Sequence, residues 1–97
     1  MERGACTYIL TNRRYGVLYT GVTSNLAARM MQHRSGRGSA FCRRYKLTCL
    51  VLIEPHATML EAIAREKALK AWQRQWKLDL IDRTNPGWID LFDLINA

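Results

Sequence analysis

Apolar and polar positions along this chain change period several times, and each change marks an element. Ala5 to Thr11 carries the β-favouring residues Thr7, Tyr8 and Ile9, Asn12 to Gly16 is turn-like, and Val17 to Val22 is a second β-favouring run. Two such runs joined by a short polar turn predict an antiparallel hairpin. Thr23, Ser24 or Asn25 supplies a cap for a helix running to about Arg34, with Leu26, Ala27, Met30 and Met31 on its core side. Ser35 to Ser39 reads as a flexible linker, and Phe41 to Lys46 follows with Phe41 and Tyr45 on one helical face. Leu47 to Glu54, ended by Pro55, reads as a central third strand. Thr58-Met59-Leu60-Glu61 has the form of a capping box, which opens a helix from Met59 to about Trp76. Lys77 to Asp82 is a further short helical stretch, stopped by Pro86 and Gly87. The pattern predicts one α/β (α+β) domain over residues 1–97, a small three-stranded antiparallel sheet flanked by helices.

Composition narrows the class of function. A chain of 97 residues buries one modest core. Without a long apolar run or a charged-then-apolar amino terminus, neither a membrane span nor a secretion signal is expected. Cys6, Cys42 and Cys49 are odd in number and lack a close pair, which points to a reducing, cytoplasmic setting. A zinc site built from Cys42, Cys49, His33 and His56 fails on the same spacing.

Charge changes the picture more. Fifteen Lys and Arg stand against eight Asp and Glu, a net charge of +7, and the excess is concentrated in residues 1–77. The tail beyond sets Arg83 against Asp79, Asp82, Asp90 and Asp93. A small basic domain attracts polyanions through its long-range field and counterion release, so nucleic acid is the leading partner. A solvated cationic face accounts for the charge equally well. Arg37, Arg43, Arg44 and Lys46 are the candidate phosphate contacts, interleaved with Phe41 and Tyr45. For the two rings, plugging the edge of the core is the leading reading, and nucleic-acid contact is the leading reading for the cations.

Five further residues carry candidate chemistry. Tyr8 and Tyr19 fall on neighbouring strands of the hairpin, close enough for their hydroxyls to share one site; taken alone, they read as half-buried sheet residues. Arg29 and His33 lie one turn apart on the flank of the first helix, where they can point along the sheet surface. Glu66 lies between Ile63 and Leu69 on the later helix, and its spacing to Lys70 suits a helix ion pair worth about 0.2–0.5 kcal/mol. Asn85, before Pro86, reads by itself as a turn residue. Trp72, Trp76 and Trp88 read as core or as an apolar patch.

Cys6-Thr7-Tyr8, Tyr19-Thr20-Gly21, Arg29, the Glu61-Ala62-x-x-x-Glu66-Lys67-x-x-Lys70 stretch and the closing Asn85-Pro86-Gly87-Trp88-Ile89-Asp90-Leu91 together resemble the GIY-YIG nucleases, in particular the small stand-alone bacterial type. The resemblance runs through nearly the whole chain. It implies a metal-dependent endonuclease acting on DNA, with RNA left open as a partner, in repair or recombination. A separate partner protein would supply specificity, since the sequence holds no DNA-reading unit of its own.

The same resemblance assigns roles. Tyr19 would take a proton from the attacking water, Tyr8 and His33 would orient or assist it, and Arg29 would stabilise charge growing on the phosphate. Glu66 would be the sole protein ligand of Mg²⁺ or Mn²⁺, hard ions that keep their waters and take phosphate oxygens as further ligands. Gly21 and Asn85 would support the site. Two departures stand out: Cys6-Thr7-Tyr8 replaces the namesake Gly-Ile-Tyr, and Val22 stands where many members place a lysine. The second removes a cation that would acidify Tyr19 and raises the weight on His33. A basic module that binds nucleic acid without cutting it is the alternative reading.

Overall fold

The computed structural model describes residues 4–95; residues 1–3 and 96–97, which the expected single domain includes, lie outside it. Its elements are β1 (Ala5–Thr11), β2 (Leu18–Thr23), α1 (Leu26–Arg34), α2 (Ala40–Tyr45), β3 (Cys49–His56), α3 (Met59–Ala71), α4 (Arg74–Thr84) and α5 (Phe92–Ile95). They form the expected α+β arrangement, a three-stranded antiparallel sheet flanked by helices. Among the described residues no helix is long and apolar enough to cross a membrane, and the three cysteines are free thiols.

The strand order is β2-β1-β3, so β1 is central and β3 lies at an edge. This corrects the reading of Leu47 to Glu54 as the central strand. An apolar run signals burial on both faces, and here β3 obtains its cover without a second strand partner. The chain after α4 pads it instead: Leu91 N–H donates to the Leu50 carbonyl at 2.8 Å, Leu50 N–H donates to Asp90 Oδ1 at 3.1 Å, and Asn85 Nδ2 donates to the Val51 carbonyl at 3.2 Å. Such cover blunts an edge that would otherwise pair with another chain. Pro55 therefore does not end the strand, which runs on to His56, because an edge strand tolerates a missing N–H.

The two faces of the sheet carry separate cores. Side chains alternate along β1, so Thr7 and Ile9 face α3 and α4 whereas Tyr8 and Leu10 face α1 and α2. Ile9 packs with Val51, Leu52, Leu69, Leu78, Leu80, Ile81 and Trp88, and Thr7 Oγ1 donates to the Ala62 carbonyl of α3 at 2.9 Å. Tyr8 and Leu10 pack with Met30, Cys42, Leu47 and Leu50. A register irregularity sits where Ile9 pairs with Leu52 and Leu10 with Leu50, leaving Val51 as the extra residue on β3.

The helix expected from Met59 to Trp76 is broken at Trp72, whose backbone is extended (φ −67°, ψ 150°). No Gly or Pro marks the break in the sequence. Trp72 packs on the Ile9 core, lies 4.9 Å under the Arg65 guanidinium and meets Trp76 edge-on at 6.0 Å, so tertiary contact overrides helical propensity. The new direction lets α4 bury Leu78, Leu80 and Ile81. Of the three tryptophans only Trp88 is buried, and Trp76 is half exposed.

Candidate active site

The hairpin register brings the first residues together. β1 and β2 pair Tyr8 with Gly21 and Leu10 with Tyr19, which places both tyrosines on one face of the sheet with ring centroids 6.4 Å apart. Gly21 is required by this pairing. A Cβ at that position would lie 2.5 Å from both Cζ and Oη of Tyr8, because the phenol lies across the glycine. Tyr8 is fully buried and has no room to withdraw. Gly21→Ala is therefore expected to overpack this face and cost about 1–3 kcal/mol, read as a fall in Tm of at least about 4 °C together with displacement of the Tyr8 hydroxyl. An unchanged Tm would show that the phenol has another place to go.

Helix α1 supplies the other two residues. Asn25 caps it, its Oδ1 accepting from Ala28 N–H at 3.1 Å, and the helix then carries Met30 and His33 inward. This differs from the expected stripe in two ways. His33 is buried with the core instead of lying on the flank, and Met31 is 55% exposed. Arg29 is half-buried beside them.

The Tyr8 hydroxyl is the meeting point. Arg29 Nη1 donates to Tyr8 Oη at 3.4 Å, and Tyr8 Oη lies 3.2 Å from His33 Nε2. With Arg29 donating to the oxygen, the phenol proton is directed to Nε2, which makes Nδ1 the protonated nitrogen of a neutral imidazole. That Nδ1 is buried without a hydrogen-bond partner. His33 also meets both rings edge-on, at 6.0 Å from Tyr8 and 5.9 Å from Tyr19.

Burial sets the protonation states. It pushes the Tyr8 phenol up to about 12, against a smaller opposing pull from the Arg29 hydrogen bond and charge. Burial, and then the Arg29 charge, lower His33 below the ordinary imidazole value. At neutral pH the pair is thus a phenol and a neutral imidazole. Tyr8 binds its proton more tightly folded than unfolded, so stability declines as pH rises from about 10 toward about 12. His33 has the opposite sign, and its contribution is lost as pH falls below the ordinary imidazole value of about 6.5. An alkaline titration followed by tyrosinate absorbance is expected to show one of the four tyrosines ionising only near the unfolding transition; four equivalent tyrosines would contradict the buried position of Tyr8.

Gly38 is the residue that sequence reasoning passed over. Its Cα lies so close to the imidazole that a Cβ would collide with His33 Nδ1. The segment Ser35 to Ser39 is thus partly packed onto the site, held by Arg37 N–H donating to the Gln32 carbonyl at 2.8 Å and by Gly36 in the left-handed region (φ +80°). The available signal was two glycines within five residues, next to the helix that carries His33.

Glu66 makes no hydrogen bond to this cluster among the described residues. It shares the inner side of α3 with Ala62, whose carbonyl accepts from Thr7 Oγ1, and with Leu69, which packs with Ile9. Its carboxylate is 16% exposed and pairs with Lys70 Nζ at 2.8 Å, the ion pair anticipated from their spacing. Among the described residues no three His, Cys, Asp or Glu side chains gather as a metal site. A lone carboxylate suits only a hard ion whose remaining ligands are water and phosphate oxygens, and such an ion would have to displace the Lys70 ammonium.

Asn85 is buried as a clamp: its side chain donates to the Val51 and Ile89 carbonyls and accepts from Ile89 N–H. It fixes the closing segment to the edge of β3 and makes no hydrogen bond to the tyrosines among the described residues. Arg37, Arg43, Arg44 and Lys46 are all exposed around α2. Phe41 and Tyr45 do not plug the core; they are 45% and 38% exposed. Cys42 is the residue that α2 buries.

Comparison with known proteins places this arrangement. The profile of the GIY-YIG catalytic domain matches residues 4–79. A UPF0213 protein of Staphylococcus haemolyticus is 37% identical over 65 residues, covering 67% of this chain and 79% of that protein. UPF0213 proteins of Staphylococcus epidermidis and Staphylococcus aureus are 36% and 38% identical over 66 residues, each covering 68% of this chain and 80% of the relative. No solved structure matches the chain. With its hairpin tyrosines, its helical arginine and a profile match over most of its length, this chain belongs to the GIY-YIG family, whose catalytic domain implies a nuclease.

Proposed function

We propose that the protein is a divalent-metal-dependent endonuclease that hydrolyses phosphodiester bonds in DNA. The observation that carries this reading is the Tyr8 hydroxyl held between Arg29 and His33, beside Tyr19 and against Gly21. A module that only binds nucleic acid needs exposed cations, which α2 supplies; it has no use for a neutral histidine and an arginine converging on a buried phenol.

Each residue of this chain takes a part. Tyr19 is half-buried and its hydroxyl makes no hydrogen bond among the described residues, so it is free to meet the attacking water. Tyr8, a neutral phenol whose single proton points to His33 Nε2, orients that water through an oxygen lone pair, and Arg29 and His33 hold the phenol in place. The water proton passes to the Tyr19 oxygen as Tyr19 releases its own phenol proton to solvent, the water oxygen bonds to phosphorus, the bond to the leaving oxygen breaks with that oxygen taking a proton from solvent, and Arg29 stabilises the negative charge that grows on the phosphate. Glu66 would hold Mg²⁺ or Mn²⁺, and the chemistry such an ion supplies is neutralisation of charge on phosphate oxygens. Arg37, Arg43, Arg44 and Lys46 hold the DNA backbone. The setting proposed is cytoplasmic, in repair or recombination, with a partner protein supplying specificity.

The test is incubation with plasmid DNA and with branched DNA, in Mg²⁺, in Mn²⁺ and in excess chelator. Nicking or linearisation that requires added metal is expected. Undiminished cutting in chelator would remove the metal from the proposal, and binding without cutting under every condition would favour the non-catalytic module.

A further inference from the structure

A line of aromatic rings leads from the buried cluster to the surface. Tyr8 is fully buried, Tyr19 is half-buried, and Phe41 and Tyr45 are 45% and 38% exposed. The steps are short: Tyr19 to Phe41 is 6.3 Å between centroids and Phe41 to Tyr45 is 4.9 Å. Phe41 and Tyr45 stand four residues apart on α2, so the helix itself sets their spacing. Its opposite side is anchored by Cys42, and its amino end by Ser39, whose Oγ accepts from Cys42 N–H at 3.2 Å.

Exposed rings at this position forgo the burial that aromatic side chains normally obtain. Their surroundings say what would cover them. The Arg44 guanidinium lies 5.5 Å from the Tyr45 ring centroid, Arg43 Nη1 is held by the Gly38 carbonyl at 3.1 Å, and Lys46 ends the helix in the left-handed region. Cations beside open aromatic faces complement a strand that is phosphate on one side and base on the other. A paired base in duplex DNA keeps its faces stacked within the helix and cannot reach these rings; an unpaired base can.

We infer that Phe41 and Tyr45 form a stacking platform for an unpaired nucleotide next to the scissile phosphate, so that the substrate is DNA carrying a single-stranded arm rather than an intact duplex. This rests on the nuclease reading for what happens to the phosphate, and on the α2 surface alone for which DNA is taken. Arg43, Arg44 and Lys46 hold the arm's backbone while the rings hold its base.

The test separates the two. Binding is measured in chelator, so that cutting does not intervene, to a duplex with a single-stranded arm carrying 2-aminopurine at the junction and to the fully paired duplex of the same sequence. The wild-type chain is expected to quench the 2-aminopurine and to bind the armed DNA at least about tenfold more tightly. Combining Phe41→Leu with Tyr45→Leu is expected to abolish the quench and weaken armed-DNA binding on the order of tenfold to a hundredfold, the usual worth of one stacked base. The loss on the paired duplex should be much smaller. Phe41→Tyr combined with native Tyr45 should restore the quench, since it keeps the ring. Equal affinity for the two DNAs, persistence of the quench in the double variant, or equal losses on both DNAs would each overturn the platform. Cutting with no preference for the arm would do the same and leave the nuclease reading intact, whereas quenched binding with no cutting in metal would overturn the nuclease reading and leave the platform standing.

Discussion

Replacing Glu66 by Gln is expected to abolish metal-dependent cleavage while leaving the fold in place. The substitution keeps the shape of a side chain that α3 holds between Ala62 and Leu69, so no cavity opens on the inner side of the helix. What the fold loses is one ion pair with Lys70, whose side chain is 53% exposed and returns to water without a buried-charge penalty. A pair of this spacing is worth about 0.2–0.5 kcal/mol, which for a domain of this size shifts Tm by roughly 1–4 °C. The effect on cleavage is of another order, because no group of three His, Cys, Asp or Glu side chains among the described residues offers a hard ion another site. The paired measurement is decisive: a small change in Tm with cutting lost assigns Glu66 to the chemistry, and a small change in Tm with cutting retained returns it to the role of a helix ion pair.

Arg29→Ala is expected to lower the cleavage rate by on the order of 10²–10³-fold with a much smaller change in DNA affinity. A donor fixed in place before reaction acts on charge that exists fully only in the transition state, and removing one such donor typically costs that much. The geometry adds a signature that a plain phosphate contact would lack. Arg29 holds the Tyr8 hydroxyl and its charge lowers His33, so its removal should raise the His33 pKa, an upward shift visible in an NMR titration of the imidazole. Exposed Arg37, Arg43 and Arg44 stand outside this network, and each should cost a modest amount of binding that added salt masks. Equal losses of binding and cleavage in Arg29→Ala, with His33 unmoved, would make Arg29 one more phosphate contact.

Much of the fold is written locally, and those parts are legible one element at a time. The β-favouring runs around Asn12 to Gly16 specify a hairpin, and the hairpin alone sets Tyr8 opposite Gly21. Asn25 and Thr58 are capping residues whose side chains meet amides three positions ahead, so a short window of sequence contains the whole interaction. The pairing of Glu66 with Lys70 is of the same kind. In each case the partners are neighbours along the chain, and their spacing fixes the contact.

What the sequence left open involves partners far apart in the chain. Whether β3 is central or at an edge depends on Asn85, Asp90 and Leu91 reaching back to cover it, which no property of Leu50 to Ile53 announces. The break at Trp72 carries no Gly or Pro; it exists because Trp72 and α4 find more to pack against on the Ile9 core than a straight helix would reach. The sequence favours the core for Phe41 and Tyr45, and Cys42 overturns that by taking the buried side of α2. The candidate site divides along the same line. Residue type and local spacing single out the candidate residues in the sequence by itself; only the tertiary structure decided that His33 is buried against Tyr8 and Gly38, because burial and proximity are properties of packed elements and not of any one segment.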